Sequence, residues 1–336
     1  MPHSRRTFLT RAGAAASAGC LARTRPAGAA APPPDAPATA TMPRGLTLAT
    51  LRRGGELGLG VRTEAGILDV RLAERMFRQN APVTIEEVFQ RGGGPELERL
   101  LAAARREKGF LVEEGQAEFG PCVTRPEKIV CVGLNYRKHA AETGQPVPKQ
   151  PILFNKYNTA LLGHGGVIHA SKEPAAQFDY EVELVVVMGK AARNVRESDA
   201  LAHVFGYCTG NDFTARDLQR ASSQWMLGKT LDGSAPVGPW LVTADQVGEP
   251  NRLKLECRVN GEVRQSSSTA DMVFDCASLV SYISHHFTLN PGDLIFTGTP
   301  EGVIAGYPKE KQVWLKAGDR VTSTIEKLGE LQFTLA

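Results

Sequence analysis

Residues 179–190, DYEVELVVVMGK, carry two glutamates two residues apart at the head of an apolar run. In a strand alternate side chains share a face, so Glu181, Glu183, Val185 and Val187 point one way and Val182, Leu184, Val186 and Met188 the other. Both faces are mostly apolar, the pattern of a strand covered on both sides. Two carboxylates on one face of such a strand repel, and desolvating them is costly unless positive charge lies between them. Asp212, in TGNDFTARD after another strand-like run, is a candidate third acid. Carboxylates converging from strand ends make a hard oxygen site suited to Mg²⁺, Mn²⁺ or Ca²⁺. Spacing alone leaves open the alternative that each acid pairs with an arginine or lysine.

A second pair lies upstream in GLNYRKHAAETGQP, after the strand-like KIVCVG. Asn135 is placed to cap a short helix that Gly144 ends. His139 and Glu142, at i and i+3, then share a face. A carboxylate beside an imidazole fixes its tautomer and raises its basicity, which suits a general base acting on water. An isolated HxxE pair is also common on a solvated helix face. Other motifs fail: GKT at 228–230 lacks the P-loop glycine, because residue 223 is serine, and no GxGxxG, HExxH or GxSxG occurs. His285-His286 reads as a helix end, where cations suit the dipole. The six cysteines show neither CxxC nor zinc-ligand spacing, and Cys131 and Cys276 read as small core residues.

The elements that must position these groups are mostly strands. Residues 44–122 read as a small first unit of short strands followed by two helices. VTIEEVFQRGGG has Thr84 and Glu87 in capping-box spacing, and PELERLLAAARRE starts at Pro95. From 123 to 336 the strand-like runs are KIVCVG, EVELVVVMG, FGYCTGNDF, GPWLVT, LKLECRV and DLIFTG, with a hairpin at Asn260-Gly261 and one helix over 270–287. No βαβ rhythm appears, so the pattern predicts antiparallel and mixed sheets folded over one another.

Residues 1–43 read as a leader. SRRTFLT resembles a twin-arginine signal, followed by an alanine-rich run, an Ala27-Gly28-Ala29 cleavage site and a proline-rich linker, so the expected location is periplasmic or secreted, with cytoplasmic as the alternative. Lipidation at Cys20 is disfavoured because Ser17 stands where leucine is usual. Five arginines against Asp35 give this leader +4 of a total +3, leaving −1 for residues 44–336. The body therefore has no basic excess for nucleic acid, and no run of apolar residues is long enough for a transmembrane helix.

VGLNYRKHAAE, FDYEVELVVVMGK, GYCTGNDFTARDLQ, GKTLDGSAPVGPW and LNPGDLIFTGTPEGV occur in the order seen in the fumarylacetoacetate hydrolase family, and the resemblance covers roughly residues 125–336. It implies an α+β, strand-rich fold: a mixed β-sandwich roll of the family's C-terminal type, with a small N-terminal domain. It also implies a divalent metal, Mg²⁺ or Mn²⁺, and a homodimer. By that resemblance Glu181, Glu183 and Asp212 are the metal ligands, and His139 and Glu142 the water-activating dyad. Arg216, Gln219 and Lys229 are substrate and oxyanion contacts, and Thr299 meets the substrate carboxylate. The type enzyme's fourth acid, ahead of the histidine, has no counterpart in GLNYRKH, which points to the three-carboxylate, acylpyruvase-like subgroup. The expected activity is hydrolysis of a C–C bond in a 2,4-dioxo acid by activated water. The alternatives are a 2-oxoacid lyase or isomerase (oxaloacetate decarboxylase, tautomerase or hydratase) on the same site, and a non-catalytic oxo-acid binding protein.

Overall fold

The computed structural model describes residues 41–105 and 107–336, which belong to one compact unit. In chain order the strands used below are β1 (Thr47–Arg53), β2 (Glu56–Thr63), β3 (Gly66–Asp69), β4 (Leu111–Val112), β5 (Ile129–Gly133), β6 (Ile152–Lys156), β7 (Gly166–Ile168) and β8 (Val182–Met188). They continue with β9 (Val204–Asn211), β10 (Leu241–Thr243), β11 (Lys254–Val259), β12 (Glu262–Ser268), β13 (Leu294–Phe296), β14 (Arg320–Ile325) and β15 (Gly329–Leu335). Ten of them form one sheet in the order β4-β3-β2-β1-β10-β9-β8-β13-β5-β6, and five form a second, β12-β11-β14-β15-β7. The large sheet is antiparallel except where β13 runs parallel to β5.

Every residue of β8 is buried, as its two apolar faces require. Val182, Leu184, Val186 and Met188 join a core with Leu255, Cys257, Val321 and Phe333 of the second sheet. Val185 and Val187 join a second core with Leu59, Leu68, Leu97 and Leu100 from the first eighty residues or so of the described chain. The segment 44–122 meets the rest edge to edge, since β1 pairs with β10 through Thr47 opposite Val242 and Leu48 opposite Leu241. The sheet thus runs without a break across the position where the sequence suggests a boundary.

The helices are α1 (Val70–Phe77), α2 (Ile85–Arg91), α3 (Gly94–Ala104), α4 (Arg137–Glu142), α5 (Arg216–Gln219), α6 (Met226–Lys229) and α7 (Cys276–His286). Thr84 caps α2 as its spacing predicts, accepting from Glu87 N at 3.2 Å, while the Glu87 carboxylate returns to Val83 N. The helix expected over 270–287 begins later. Residues 269–271 form a single 3₁₀ turn, and Asp275 starts α7 by accepting from Ser278 N at 2.8 Å. Asn260 and Gly261, both at positive φ, turn β11 into β12. Among the described residues no helix is long and apolar enough to cross a membrane.

Candidate metal centre

Strand alternation puts Glu181, just ahead of β8, and Glu183, within it, on one face. Asp212 follows the end of β9, the neighbouring strand. One carboxylate oxygen from each of the three lies within 4.8 Å of the others, and all three residues are buried. Their surroundings differ. Glu181 accepts from Arg216 Nη2 at 2.6 Å and from Lys229 Nζ at 2.6 Å. Asp212 Oδ2 accepts from Lys229 Nζ at 2.7 Å. Glu183 accepts from the main-chain N–H of Gly298 at 2.7 Å, and among the described residues no basic side chain forms an ion pair with it. Two of the three acids are thus paired with cations, and the third is not.

The titration behaviour follows. Burial pushes the Glu181 carboxyl up, but Arg216 and Lys229 outweigh it and hold the group well below the usual carboxylate range. Burial pushes Glu183 up as well. The charges of Asp212 and Glu181 add to that, so it sits well above the usual range. Burial lowers Lys229, but Asp212 and Glu181 raise it further, and it stays charged.

Lys156 is a residue that sequence reasoning missed. It is 3 % exposed, and its Nζ lies 2.7 Å from Asp212 Oδ1. Its N–H groups are directed at the carbonyls of Phe213 and Lys229 and at Ser234 Oγ. Asp212 Oδ1 thus has a cation beside it but no hydrogen bond. Asp179 was also missed. It is fully buried, accepts from Arg216 Nε at 2.8 Å, and takes the N–H groups of Ile304 and Ala305 at 2.8 and 3.0 Å. The signal for it was present, because Asp179, Glu181 and Glu183 lie at i, i+2 and i+4.

The donor set is all oxygen and converges from strand ends. It includes one buried acid without a cation and one buried carboxylate oxygen without a hydrogen bond. A hard dication matches both deficits.

The dyad stands across the same cavity. His139 Nδ1 is 2.7 Å from Glu142 Oε1, and Glu142 Oε2 accepts from Gly302 N at 2.9 Å. Asn135 does not cap α4 as the sequence suggests. Its amide donates to the carbonyls of Phe274 and Thr297, and its Oδ1 accepts from Phe274 N. The N-cap of α4 is Tyr136, with no side-chain bond. Asn135 instead secures a turn in which Leu134 sits at φ 54°, a left-handed position that disfavours branched side chains.

His139, Glu142, Glu181, Glu183, Asp212, Arg216, Gln219, Lys229 and Thr299 all line one cavity of about 710 Å³. Arg216 and Lys229 are brought together because α5 and α6 touch at Gly228, where an added Cβ would fall 2.4 Å from the Ala215 carbonyl oxygen. Arg216 Nη1 also donates to Gln219 Oε1 at 3.1 Å. Thr299 Oγ1 donates to the Val182 carbonyl at 3.0 Å and accepts from Gln265 Nε2 at 2.9 Å. Its hydroxyl proton is thus committed to the Val182 carbonyl. His285 accords with the structural reading: its Nδ1 lies 2.7 Å from the Ser281 carbonyl one turn back on α7.

Fold and site together define a strand-rich protein with two large sheets, in which three carboxylates and a His–Glu pair line one cavity. The sequence profile described as fumarylacetoacetate (FAA) hydrolase C-terminal matches residues 128–336, and the chain belongs to the fumarylacetoacetate hydrolase family. It is 42 % identical over 281 residues to the protein named oxaloacetate tautomerase FAHD2A, mitochondrial, of Bos taurus, covering 82 % of this chain and 86 % of that one. The Homo sapiens protein of the same name is 40 % identical over the same span and shares. Among solved structures, a putative HpcE protein from Mycobacterium smegmatis superposes with TM-score 0.73 at 32 % identity, over 86 % of this chain and 99 % of that one. The fumarylpyruvate hydrolase from Pseudomonas aeruginosa, in complex with Mn²⁺ and pyruvate, has TM-score 0.56 at 35 % identity, over 66 % and 93 %.

These relatives correct the location expected from the leader. Residues 1–40, with the arginine pair, Cys20 and the cleavage site, lie outside the described residues. The two tautomerases are named as mitochondrial proteins. An arginine-rich leader with a single acid is compatible with a transit peptide rather than a twin-arginine signal. Arginine-rich, alanine-rich composition is common to both kinds of leader, which is why the sequence misdirected the assignment.

Proposed function

We propose that the chain is a divalent-metal enzyme that interconverts the keto and enol forms of a 2-oxo acid of the oxaloacetate type. The observation that carries this is 40–42 % identity over about four-fifths of the chain to relatives named oxaloacetate tautomerases. Glu181, Glu183 and Asp212 would hold Mg²⁺ or Mn²⁺, which when bound supplies Lewis-acid polarisation of the 2-oxo group. Glu142 holds His139 by Nδ1, so Nε2 is the atom left to take a proton from the carbon next to the carbonyl. The imidazolium so formed is stabilised by Glu142 and returns the proton to the enolate oxygen. The C–H bond broken and the O–H bond made balance without water. Arg216 and Lys229 hold the acids in place and leave N–H groups for the substrate's own oxygens.

A second reading is hydrolysis of an acylpyruvate, with the same His139 taking its proton from water. It is favoured by the 35 % identity to the fumarylpyruvate hydrolase. An intact dyad weighs against a non-catalytic binding protein. The homodimer implied by the family is part of the proposal. It is supported by β6, which ends the large sheet, carries Ile152 at 36 % exposure, and lies beside exposed Tyr157, Met226 and Leu227.

The test compares oxaloacetate enol–keto exchange with acylpyruvate cleavage in the Mn²⁺-loaded protein. Wild type is expected to accelerate the exchange, and His139→Ala to lose a factor on the order of 10²–10⁴. Acylpyruvate cleavage without any exchange would replace the tautomerase by the hydrolase.

A further inference from the structure

Four carboxylates line the cavity, and each has a local partner: Glu142 with His139, Glu181 and Asp212 with Lys229, and Glu183 with the Gly298 N–H. Of the three lysine and arginine side chains in the lining, two are committed. Lys229 and Arg216 are 2 % and 6 % exposed and are bonded to the buried acids. The third is Arg220. It is exposed, lies one residue beyond α5, and has its main-chain N–H bonded to the Arg216 carbonyl at 3.1 Å, which fixes its backbone. Among the described residues no carboxylate lies within ion-pair reach of its guanidinium, and its side chain makes no hydrogen bond. An arginine fork so placed matches a carboxylate in bidentate geometry.

We propose that Arg220 is the residue that selects diacids, its guanidinium holding the carboxylate remote from the 2-oxo group. This rests on the 2-oxo acid reading of the site. The 2-oxo group and its neighbouring carboxylate belong at the acidic floor, and the second carboxylate of a diacid then needs a cation away from that floor. Arg220 is the lining cation not already neutralised. The cavity is large enough for a small diacid, so shape alone would not separate diacids from monoacids.

The test is built on binding, so that it stands apart from turnover. L-malate and L-lactate are unreactive 2-hydroxy acids that differ in the distal carboxylate. Their dissociation constants are measured by calorimetry on Mn²⁺-loaded wild type, Arg220→Gln and Arg220→Lys. Wild type is expected to bind malate about tenfold more tightly than lactate, the scale of one charge-assisted pair. Arg220→Gln should remove most of that ratio by weakening malate, with lactate shifted less than about twofold, and Arg220→Lys should restore part of it. Three results would overturn the proposal: no malate preference in wild type, a preference that survives Arg220→Gln, or equal weakening of both ligands, which marks a structural role. If wild type fails to turn over oxaloacetate, the tautomerase reading falls, and the malate-to-lactate ratio still decides the role of Arg220.

Discussion

Glu181 and Glu183 lie two residues apart on one strand face, and their surroundings treat them oppositely. Arg216 and Lys229 hold Glu181 ionised, whereas burial and two neighbouring acids press Glu183 toward its neutral form. Replacing Glu183 by glutamine should therefore change metal-free stability by less than about 1 kcal/mol, since a neutral side chain of the same size still accepts from Gly298 N. With Mn²⁺ at about a hundredfold its dissociation constant, wild type should gain about 2.7 kcal/mol and Glu183→Gln little. Urea unfolding with chelator and with Mn²⁺ measures both. A variant that keeps the metal gain would remove Glu183 from the ligand set. At this scale the sequence was readable where residues are close together: the period of two exposed the paired glutamates, and the i, i+3 spacing gave His139 and Glu142. Asp179 lies on the same period, but its partners Arg216 and Ile304 lie far along the chain and leave no local mark of its role. Lys156 carried no local mark, since it reaches Asp212 only through the sheet order.

Between residue and molecule, the turn from β5 into α4 decides where the dyad points. Leu134 at positive φ is tolerated because Asn135 fixes the turn from the next position, with three bonds to Phe274 and Thr297. Asn135 is 1 % exposed, so its partners have no water to replace it. Asn135→Ala should cost about 1–3 kcal/mol in urea unfolding, the range for stranding buried polar partners. It should also lower kcat more than it raises KM, because the dyad loses its aim while the acidic floor is untouched. A loss confined to stability, with kcat intact, would show that α4 is placed by other contacts. Asn135 reads as a helix cap in the sequence because asparagine is among the preferred capping residues. The competing use, a bond to chain 139 residues away, has no local signature. By contrast, the Thr84 cap and the Asn260-Gly261 turn are local devices, and both appear where the spacing puts them.

The whole molecule is organised by β8, whose two buried faces belong to two different cores. Strand composition showed that this strand is covered on both sides, but not by what, because neighbours such as β8 and β13 are separated by more than a hundred residues (Val186 faces Ile295). One seam of this assembly carries a titratable group. His164, in the loop before β7, stacks edge-on against Phe119 of the first segment, with ring centroids 5.5 Å apart, and its Nδ1 lies 3.1 Å from the Glu330 carbonyl and 3.2 Å from Gln332 N, both on β15. Burial lowers the affinity of His164 for a proton, and the Glu330 carbonyl only partly offsets this. The folded-state pKa is thus below the ordinary value near 6.5, and as pH falls the unfolded chain takes up the proton first. The stability contributed by neutral His164 is complete above about pH 6.5, is lost as pH drops toward the folded-state value, and levels off below it. A His164→Gln variant should therefore show a smaller fall in urea midpoint between about pH 7.5 and 5 than wild type does, with no change in slope. Equal falls in the two proteins would place the acid sensitivity of the fold elsewhere than at this seam.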